Sequence, residues 1–160
     1  MRAVITMLMM FALLHTAVAD ELHVVLNGKA IHLQEGNYNE ENWGMGINYD
    51  FAPHKDWINF LHASYFKDSN NQTSKYAGGG MKRRYLLDGK DTDGWHLDAG
   101  IIGFLMTRED FKNNQPFFGA LPFAAVGKGW FTLNATYIPA VTPKHVSLFF
   151  FQAMIRVAEF

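Results

Sequence analysis

The stretch from residue 43 to residue 51 reads WGMGINYDF, and it decides the fold. Large apolar side chains occupy every second position from Trp43 to Phe51, and glycine, asparagine and aspartate occupy the positions between them. Successive side chains of a β-strand point to opposite faces of the sheet. The segment therefore predicts a strand with one apolar face and one small or polar face.

The same alternation recurs along the chain. It is clear at 131–138 and again in the segment that runs to residue 157, close to the terminal Phe160. Together the patterns predict about eight strands, near residues 22–33, 42–51, 57–67, 74–87, 94–106, 117–127, 130–138 and 145–157. An even strand number with apolar rows and aromatics near strand ends predicts an all-β fold, an eight-stranded antiparallel up-and-down transmembrane β-barrel. A soluble lipocalin-like barrel is the alternative, because it shows the same alternation.

The N-terminal residues predict export. A basic residue at Arg2 precedes an almost wholly apolar run at 4–14, and small residues follow at Ala17 and Ala19. This order is typical of a secretory signal peptide. We predict a signal peptide at residues 1–19, a barrel domain at residues 20–160, and no later segment apolar enough for a membrane-spanning helix.

Composition narrows the function classes. The formal net charge of the 160 residues is -1, which argues against nucleic acid as a partner. Cysteine is absent, no glycine-rich phosphate loop is present, and histidines 23, 54, 62, 96 and 145 lack metal-ligand spacing. We therefore expect no metal and no cofactor. The basic run at 82–84 is expected to meet lipid headgroups or solvent.

Strand counting brings three reactive residue types to one rim. His32 ends the first predicted strand, and Asp68 and Ser69 follow the third. Odd-numbered strands end at the same side of an up-and-down barrel, which is the external side when both termini are periplasmic. Histidine can act as general base, serine as nucleophile or polarising hydroxyl, and aspartate as orienting group or proton acceptor. Alternatively, Asp68 and Ser69 form an ordinary capped turn, and His32 is a polar strand-end residue.

Glycines and prolines bear on ligand space. Glycines 44, 46, 78, 80 and 100 fall at inward positions, where they either leave room for an apolar chain or relieve curvature in a tightly bent sheet. Pro122 and Pro139 lie in or beside late strands. Because proline has no N–H, these positions either open the sheet to lipid or simply end strands.

Several segments resemble one family. The sequence FKDSN at 66–70, the in-register Gly80, and the paired-proline segments LP at 121–122 and TYIP at 136–139 are similar to those of the outer-membrane lipid A palmitoyltransferases, the PagP family. The resemblance implies an acyltransferase that moves a palmitoyl or similar chain from the sn-1 position of a glycerophospholipid to lipid A. It also implies an outer-membrane enzyme with a phospholipid donor and a lipid A acceptor, and we expect a monomer.

The resemblance also implies site residues. These are His32, Asp68 and Ser69 as catalytic groups, Gly80 as the acyl-length determinant, and Pro122 and Pro139 at the point of lateral lipid access. Arg108, in a predicted external loop, is assigned to lipid phosphate because a guanidinium suits that anion. Family members usually carry an amphipathic helix before the first strand, and we expect none here between Ala19 and that strand.

Two other functions stay open at this point. A lipid hydrolase, either a lipid A deacylase or a phospholipase, would use the same groups to pass the acyl chain to water. A barrel that binds lipid without turnover would need none of the three rim residues for chemistry.

Overall fold

Eight strands form a closed barrel. The computed structural model describes residues 19–89, 93–109, 111–140 and 146–160, so the predicted signal peptide lies outside the described residues except for Ala19. The strands are β1 Glu21–His32, β2 Glu41–Asp50, β3 Trp57–Lys67, β4 Thr73–Leu86, β5 Trp95–Arg108, β6 Phe117–Lys128, β7 Phe131–Ile138 and β8 Leu148–Glu159. A turn of 3₁₀ helix at Lys112–Asn114 precedes β6. No helix in the described ranges is long and apolar enough to span a membrane.

Every consecutive pair of strands is antiparallel, and β1 pairs with β8 to close the sheet. The predicted eight-stranded up-and-down barrel is therefore confirmed. We call the end with loops 33–40 and 68–72 the mouth, and the end with residues 20 and 160 the base. Since β1, β3 and β5 all end at the mouth, His32, Asp68 and Ser69 reach one rim.

Two predicted strands have different bounds in the structure. Strand β5 continues to Arg108, which pairs with Ser74 of β4, so Arg108 belongs to a strand end and not to the loop in which we placed it. The long β4 supplies backbone partners beyond Met106, and this extends β5. The last strand begins at Leu148 and ends at Glu159, later than predicted at both ends.

The outer surface of the barrel is apolar. Exposed side chains include Met45, Ile47, Leu61, Ile101 and Leu105, and the first two belong to the apolar row that the alternation at 43–51 predicted. Aromatic side chains surround both ends: Trp43, Tyr65, Phe118, Tyr137 and Phe149 at the mouth, and Trp57, Tyr85, Trp95, Trp130 and Phe131 at the base. An apolar band between two aromatic girdles is the surface expected of a barrel that contacts lipid.

Inward glycines permit close approach of neighbouring strands. A Cβ atom at Gly78 would lie 2.0 Å from the backbone oxygen of Gly103, and one at Gly80 would lie 2.0 Å from that of Ile101. No side chain fits at such distances, so β4 and β5 need glycine in order to bend together. At these two positions the structure favours the curvature explanation over the explanation from ligand space.

Ionic side chains fill the base half of the interior. Lys82 Nζ lies 2.6 Å from an Asp50 oxygen and 3.3 Å from an Asp98 oxygen, and Arg84 donates two hydrogen bonds to Asp98 at 2.9 and 3.0 Å. The prediction that the 82–84 run meets headgroups or solvent was wrong for Lys82 and Arg84. Strand alternation places both on the same inward face as Gly78 and Gly80, and only Arg83 points outward.

Candidate active site at the mouth

The structure brings His32 and Ser69 into direct contact. Nε2 of His32 lies 2.9 Å from Oγ of Ser69, and the His32 side chain is only 3% exposed. The ring of Tyr38 stacks on the imidazole at a centroid distance of 4.2 Å and an interplanar angle of 15°. A hydroxyl within hydrogen-bond reach of an imidazole is the arrangement of an activated nucleophile and its base.

Asp68 holds the loop that carries Ser69. Its Oδ1 accepts the backbone N–H groups of Asn70 at 2.9 Å and Gln72 at 3.0 Å. Its Oδ2 accepts the Ser74 hydroxyl at 2.9 Å and lies 3.5 Å from the Arg108 guanidinium. The carboxylate is buried, and among the described residues it makes no hydrogen bond to His32. Its contacts combine the predicted capped turn with an ion pair at the mouth.

Loop 33–40 supplies three site residues that sequence reasoning missed. Asn39 donates its backbone N–H to the Ser69 carbonyl at 2.9 Å and its side-chain amide to the Asp68 carbonyl at 3.1 Å, so it fixes one loop to the other. Tyr38 covers His32. Oε1 of Glu40 lies 3.5 Å from Nδ1 of His32. Strand counting would have placed residue 40, just before β2, at the same rim as His32. The side-chain contacts of a loop cannot be predicted from sequence, however, because a loop has no periodicity.

The backbone of β1 affects the charge of Glu40. The His32 N–H donates to Glu40 Oε1 at 3.3 Å, and this hydrogen bond, with the nearby Lys29 charge, holds the pKa of the Glu40 carboxyl below its usual value. Hydrogen bonds to the ionised form favour that form. Glu40 is therefore a carboxylate at neutral pH.

A large pocket opens beneath these groups. Its volume is about 770 Å³, and it reaches from the site to the wall between β6 and β7. Its lining includes His32, Asp68, Ser69 and Arg108 at the top, Phe66, Phe104 and Phe150 below, and Ala120, Leu121, Ile138 and Pro139 at the side. Because outward-facing Ala120 is part of the lining, the pocket opens sideways through the barrel wall as well as at the mouth.

A gap in the sheet creates that side opening. The described pairing of β6 with β7 runs from Phe123 and Thr136 toward the base, whereas β6 begins at Phe117 and β7 continues to Ile138. Residues 117–122 thus pair with β5 on one side, and on the other side they have no pairing partner in β7. Pro122 stands at the edge of the gap and Pro139 directly follows β7.

A comparison with known protein families identifies the family of this chain. The family model described as "Antimicrobial peptide resistance and lipid A acylation protein PagP" matches residues 27–153. The chain belongs to the PagP family. The matched region contains all seven residues assigned above, His32, Asp68, Ser69, Gly80, Arg108, Pro122 and Pro139.

Named relatives within the PagP family share about a third of the aligned residues. The chain is 36% identical over 105 residues to the lipid A acyltransferase PagP of Enterobacter lignolyticus, covering 64% of this chain and 52% of that protein. It is 36% identical over 104 residues to the lipid A palmitoyltransferase PagP of Escherichia coli K12, covering 64% and 53%. With the lipid A acyltransferase PagP of Legionella longbeachae it shares 31% over 110 residues, covering 69% and 46%. The chain thus spans about half the length of the relatives it matches.

Gly80, the residue assigned to acyl length, lies outside the walls of the mouth pocket and of the cavity below it. A small inner cavity of about 80 Å³ continues the pocket toward the base. Among the described residues, its wall includes Phe60, Ile102 and Phe123 but not Gly80. A Cβ on Gly80 would lie 2.8 Å from Cζ of Phe60, so the Phe60 ring already fills the space beside the glycine.

One cluster of side chains has ligand atoms close enough together to hold a metal ion. Within the described residues, ligand atoms of Glu21, His23 and Asp50 lie within 4.8 Å of one another at the base. Lys82 and Arg156, however, already contact the two carboxylates at 2.6 and 2.9 Å. These cations neutralise the group, which therefore fits a structural ion cluster better than a metal site.

Proposed function

We propose that this chain transfers a palmitoyl or similar acyl chain from a glycerophospholipid to lipid A in the bacterial outer membrane. The observation that carries the proposal is the 2.9 Å contact between Ser69 Oγ and His32 Nε2 at the head of a mainly apolar pocket that opens sideways through the sheet. Membership of the PagP family supports lipid A as the acceptor. The apolar outer band supports location in a membrane.

The donor reaches the site through the wall. A phospholipid acyl chain enters between β6 and β7, where residues 117–122 lack a β7 partner, and lies along Phe66, Phe104 and Phe150. Burial of apolar surface contributes about 0.8 kcal/mol for each methylene, which holds the chain while its ester carbonyl lies at Ser69. Arg108, at the pocket rim, binds the phosphate of the donor or the acceptor.

Two transfers then follow at one serine. Oγ of Ser69 attacks the ester carbonyl as His32 Nε2 takes its proton, an Oγ–acyl bond forms, and the ester C–O bond breaks. The lysophospholipid oxygen takes the proton from His32. A lipid A hydroxyl next attacks the acyl carbon, His32 accepts that proton, and the released Ser69 oxygen regains it. The apolar pocket disfavours water as a competing acceptor.

Export belongs to the same proposal. The basic, apolar and small-residue order at 1–19 supports a signal peptide cleaved after Ala19. N-terminal sequencing of the protein purified from outer membranes would give Asp20 as the first residue. An N-terminus at Met1 in that material would contradict cleavage.

Lipid A mass profiles test the activity. The full chain is expressed in a Gram-negative host without a PagP-family gene, and lipid A is compared with that of the empty-vector host. We expect one added acyl chain, and an unchanged profile with a folded barrel in the outer membrane would refute the proposal. Free fatty acid without acylated lipid A would indicate a hydrolase instead.

Variants test the assigned pair. Ser69→Ala and His32→Asn should each reduce transfer by at least about 10³-fold, since removal of a nucleophile or its base leaves only binding and orientation. Asn59→Ala changes a residue that lies outside both cavities and is the matched control.

A mass measurement tests the acyl-enzyme intermediate. Incubation of purified protein with donor alone should add one acyl mass to the wild-type chain and none to Ser69→Ala. Full transfer by Ser69→Ala would exclude it as nucleophile.

A further inference from the structure

The second ring nitrogen of His32 faces a carboxylate that the mechanism has not used. Nδ1 is buried and has no hydrogen-bond partner among the described residues. Glu40 Oε1 lies 3.5 Å away, slightly beyond a good hydrogen bond. Contacts of this kind often tighten when substrate binds. The Glu40 side chain is 41% exposed, so a small rotation can close the distance.

Two contacts keep this geometry in place. Glu40 Oε1 accepts the His32 backbone N–H at 3.3 Å, which ties the carboxylate to the residue that it faces. On the ring itself, the stacked Tyr38 at 4.2 Å restricts rotation of the imidazole about its side-chain bonds. With Nε2 toward Ser69, Nδ1 is directed toward Glu40.

Asp68, the acidic residue next to Ser69, is engaged elsewhere. Both of its oxygens accept hydrogen bonds from the 70–74 segment, and Oδ2 also faces Arg108. In the described part of the chain none of these contacts involves His32. The adjacent aspartate thus shapes the loop, and the imidazole must find its orienting group in another loop.

We propose that Glu40 is the positioning carboxylate of a Ser69–His32–Glu40 relay. By accepting a hydrogen bond from Nδ1–H, the carboxylate fixes the tautomer in which Nε2 is free to take the Ser69 proton, and it stabilises the imidazolium that forms. The inference rests on the proposed acyl transfer and adds a residue to it. Asp68 then serves to position Ser69.

The test is neutralisation of Glu40 in the full-length protein. Glu40→Gln keeps the length of the side chain and an oxygen that can accept the His32 N–H, but it removes the charge and adds a donor that no longer specifies the tautomer. Glu41→Gln makes the same change at the next residue, whose side chain is exposed, and is the matched control. Rates are measured in micelles with phospholipid and lipid A.

We expect Glu40→Gln to lower kcat by about 10²- to 10⁴-fold without a change in KM, and Glu41→Gln to behave as wild type. Glu40→Asp retains the charge and should restore part of the rate. A kcat for Glu40→Gln equal to that of Glu41→Gln would overturn the relay. In that outcome the active wild type would leave the proposed transfer intact.

A second measurement needs no turnover. In ¹⁵N NMR of histidine-labelled protein, assigned with His32→Asn, wild-type His32 should be the Nδ1-protonated tautomer, and Glu40→Gln should show a mixture of tautomers. An identical His32 signal in both proteins would count against the relay. If the wild type transfers no acyl chain, the proposed function fails while the NMR result still decides whether Glu40 orients His32.

Discussion

The two halves of the barrel interior differ in how they are filled. In the base half, polar and charged side chains satisfy one another: Lys82 contacts Asp50 and Asp98, and Arg84 pairs with Asp98. In the mouth half, a pocket of about 770 Å³ is left open under His32 and Ser69. The base therefore contributes stability and closure, whereas the mouth keeps space and reactive groups available for a substrate.

This difference predicts which substitutions change stability and which change activity. Substitutions in the base should change the free energy of unfolding with little effect on chemistry, and substitutions at the mouth should do the reverse. Residues at the border, near Phe60, should change which acyl chain fits. The three predictions below test this division.

The largest expected effect is at the base. Asp50→Asn leaves Lys82 buried with one fewer counter-charge, and breaking a buried ion pair from one side costs about 3–5 kcal/mol. Urea unfolding in lipid vesicles, followed by tryptophan fluorescence, should show this loss, while kcat of the folded barrel stays unchanged because Asp50 lines neither cavity. The double variant Asp50→Asn/Lys82→Met should lose less than the single one, since removal of one cation and one anion leaves no excess positive charge in the cluster.

An exposed ion pair supplies the control for that prediction. Arg83 and Asp56 lie 3.3 Å apart on the outer surface, where such pairs contribute roughly 0–1 kcal/mol. Arg83→Gln should therefore unfold almost as the wild type does. Equal losses for Asp50→Asn and Arg83→Gln would contradict the distinction between base cluster and surface.

A smaller effect is expected at the border between the halves. Phe60→Leu removes the ring atoms that occupy the space beside Gly80, so the inner cavity should accept a longer acyl chain. One methylene in an apolar pocket changes selectivity by about tenfold or more. We expect kcat/KM across donors of increasing chain length to shift toward longer chains by at least that factor. Leu61→Ala, on the outward face of the same strand, should leave the profile unchanged.

The smallest effect concerns the ring that covers His32. Tyr38→Leu removes an aromatic stacking contact, which contributes about 0.5–1.5 kcal/mol beyond burial, and the imidazole should lose part of its orientation. We expect a modest fall in kcat with an unchanged unfolding midpoint, and full activity in Tyr38→Phe. A loss of stability without a loss of kcat would assign Tyr38 to the fold instead of the site.

The alternation of side chains made most of the barrel predictable. It located all eight strands to within three residues and brought His32, Asp68 and Ser69 to one end. The same rule would have turned Lys82 and Arg84 inward had it been applied to the basic run. The inward position of these two side chains is therefore encoded in the sequence.

The contacts that could not be predicted depend on strand register and on loop conformation, which the pattern within one strand does not specify. The contact of Phe60 with the space beside Gly80 follows from the register between β3 and β4, which the alternation of either strand leaves open. Tyr38, Asn39 and Glu40 meet the site through a loop whose course has no periodicity. For these reasons the sequence pointed to a histidine, a serine and an aspartate but not to the carboxylate that faces the histidine.

The gap between β6 and β7 also limits how deeply the barrel can sit in a membrane. Backbone groups without a partner cost several kcal/mol each in hydrocarbon, so the β6 edge at 117–122 must lie where headgroups or water can solvate it. Proline has no N–H, and positions 122 and 139 therefore leave no donor without a partner. The hydrocarbon boundary should thus pass near the mouth girdle beside the gap, which includes Phe118 and Tyr137, so that one opening both admits lipid and limits the immersion depth of the barrel.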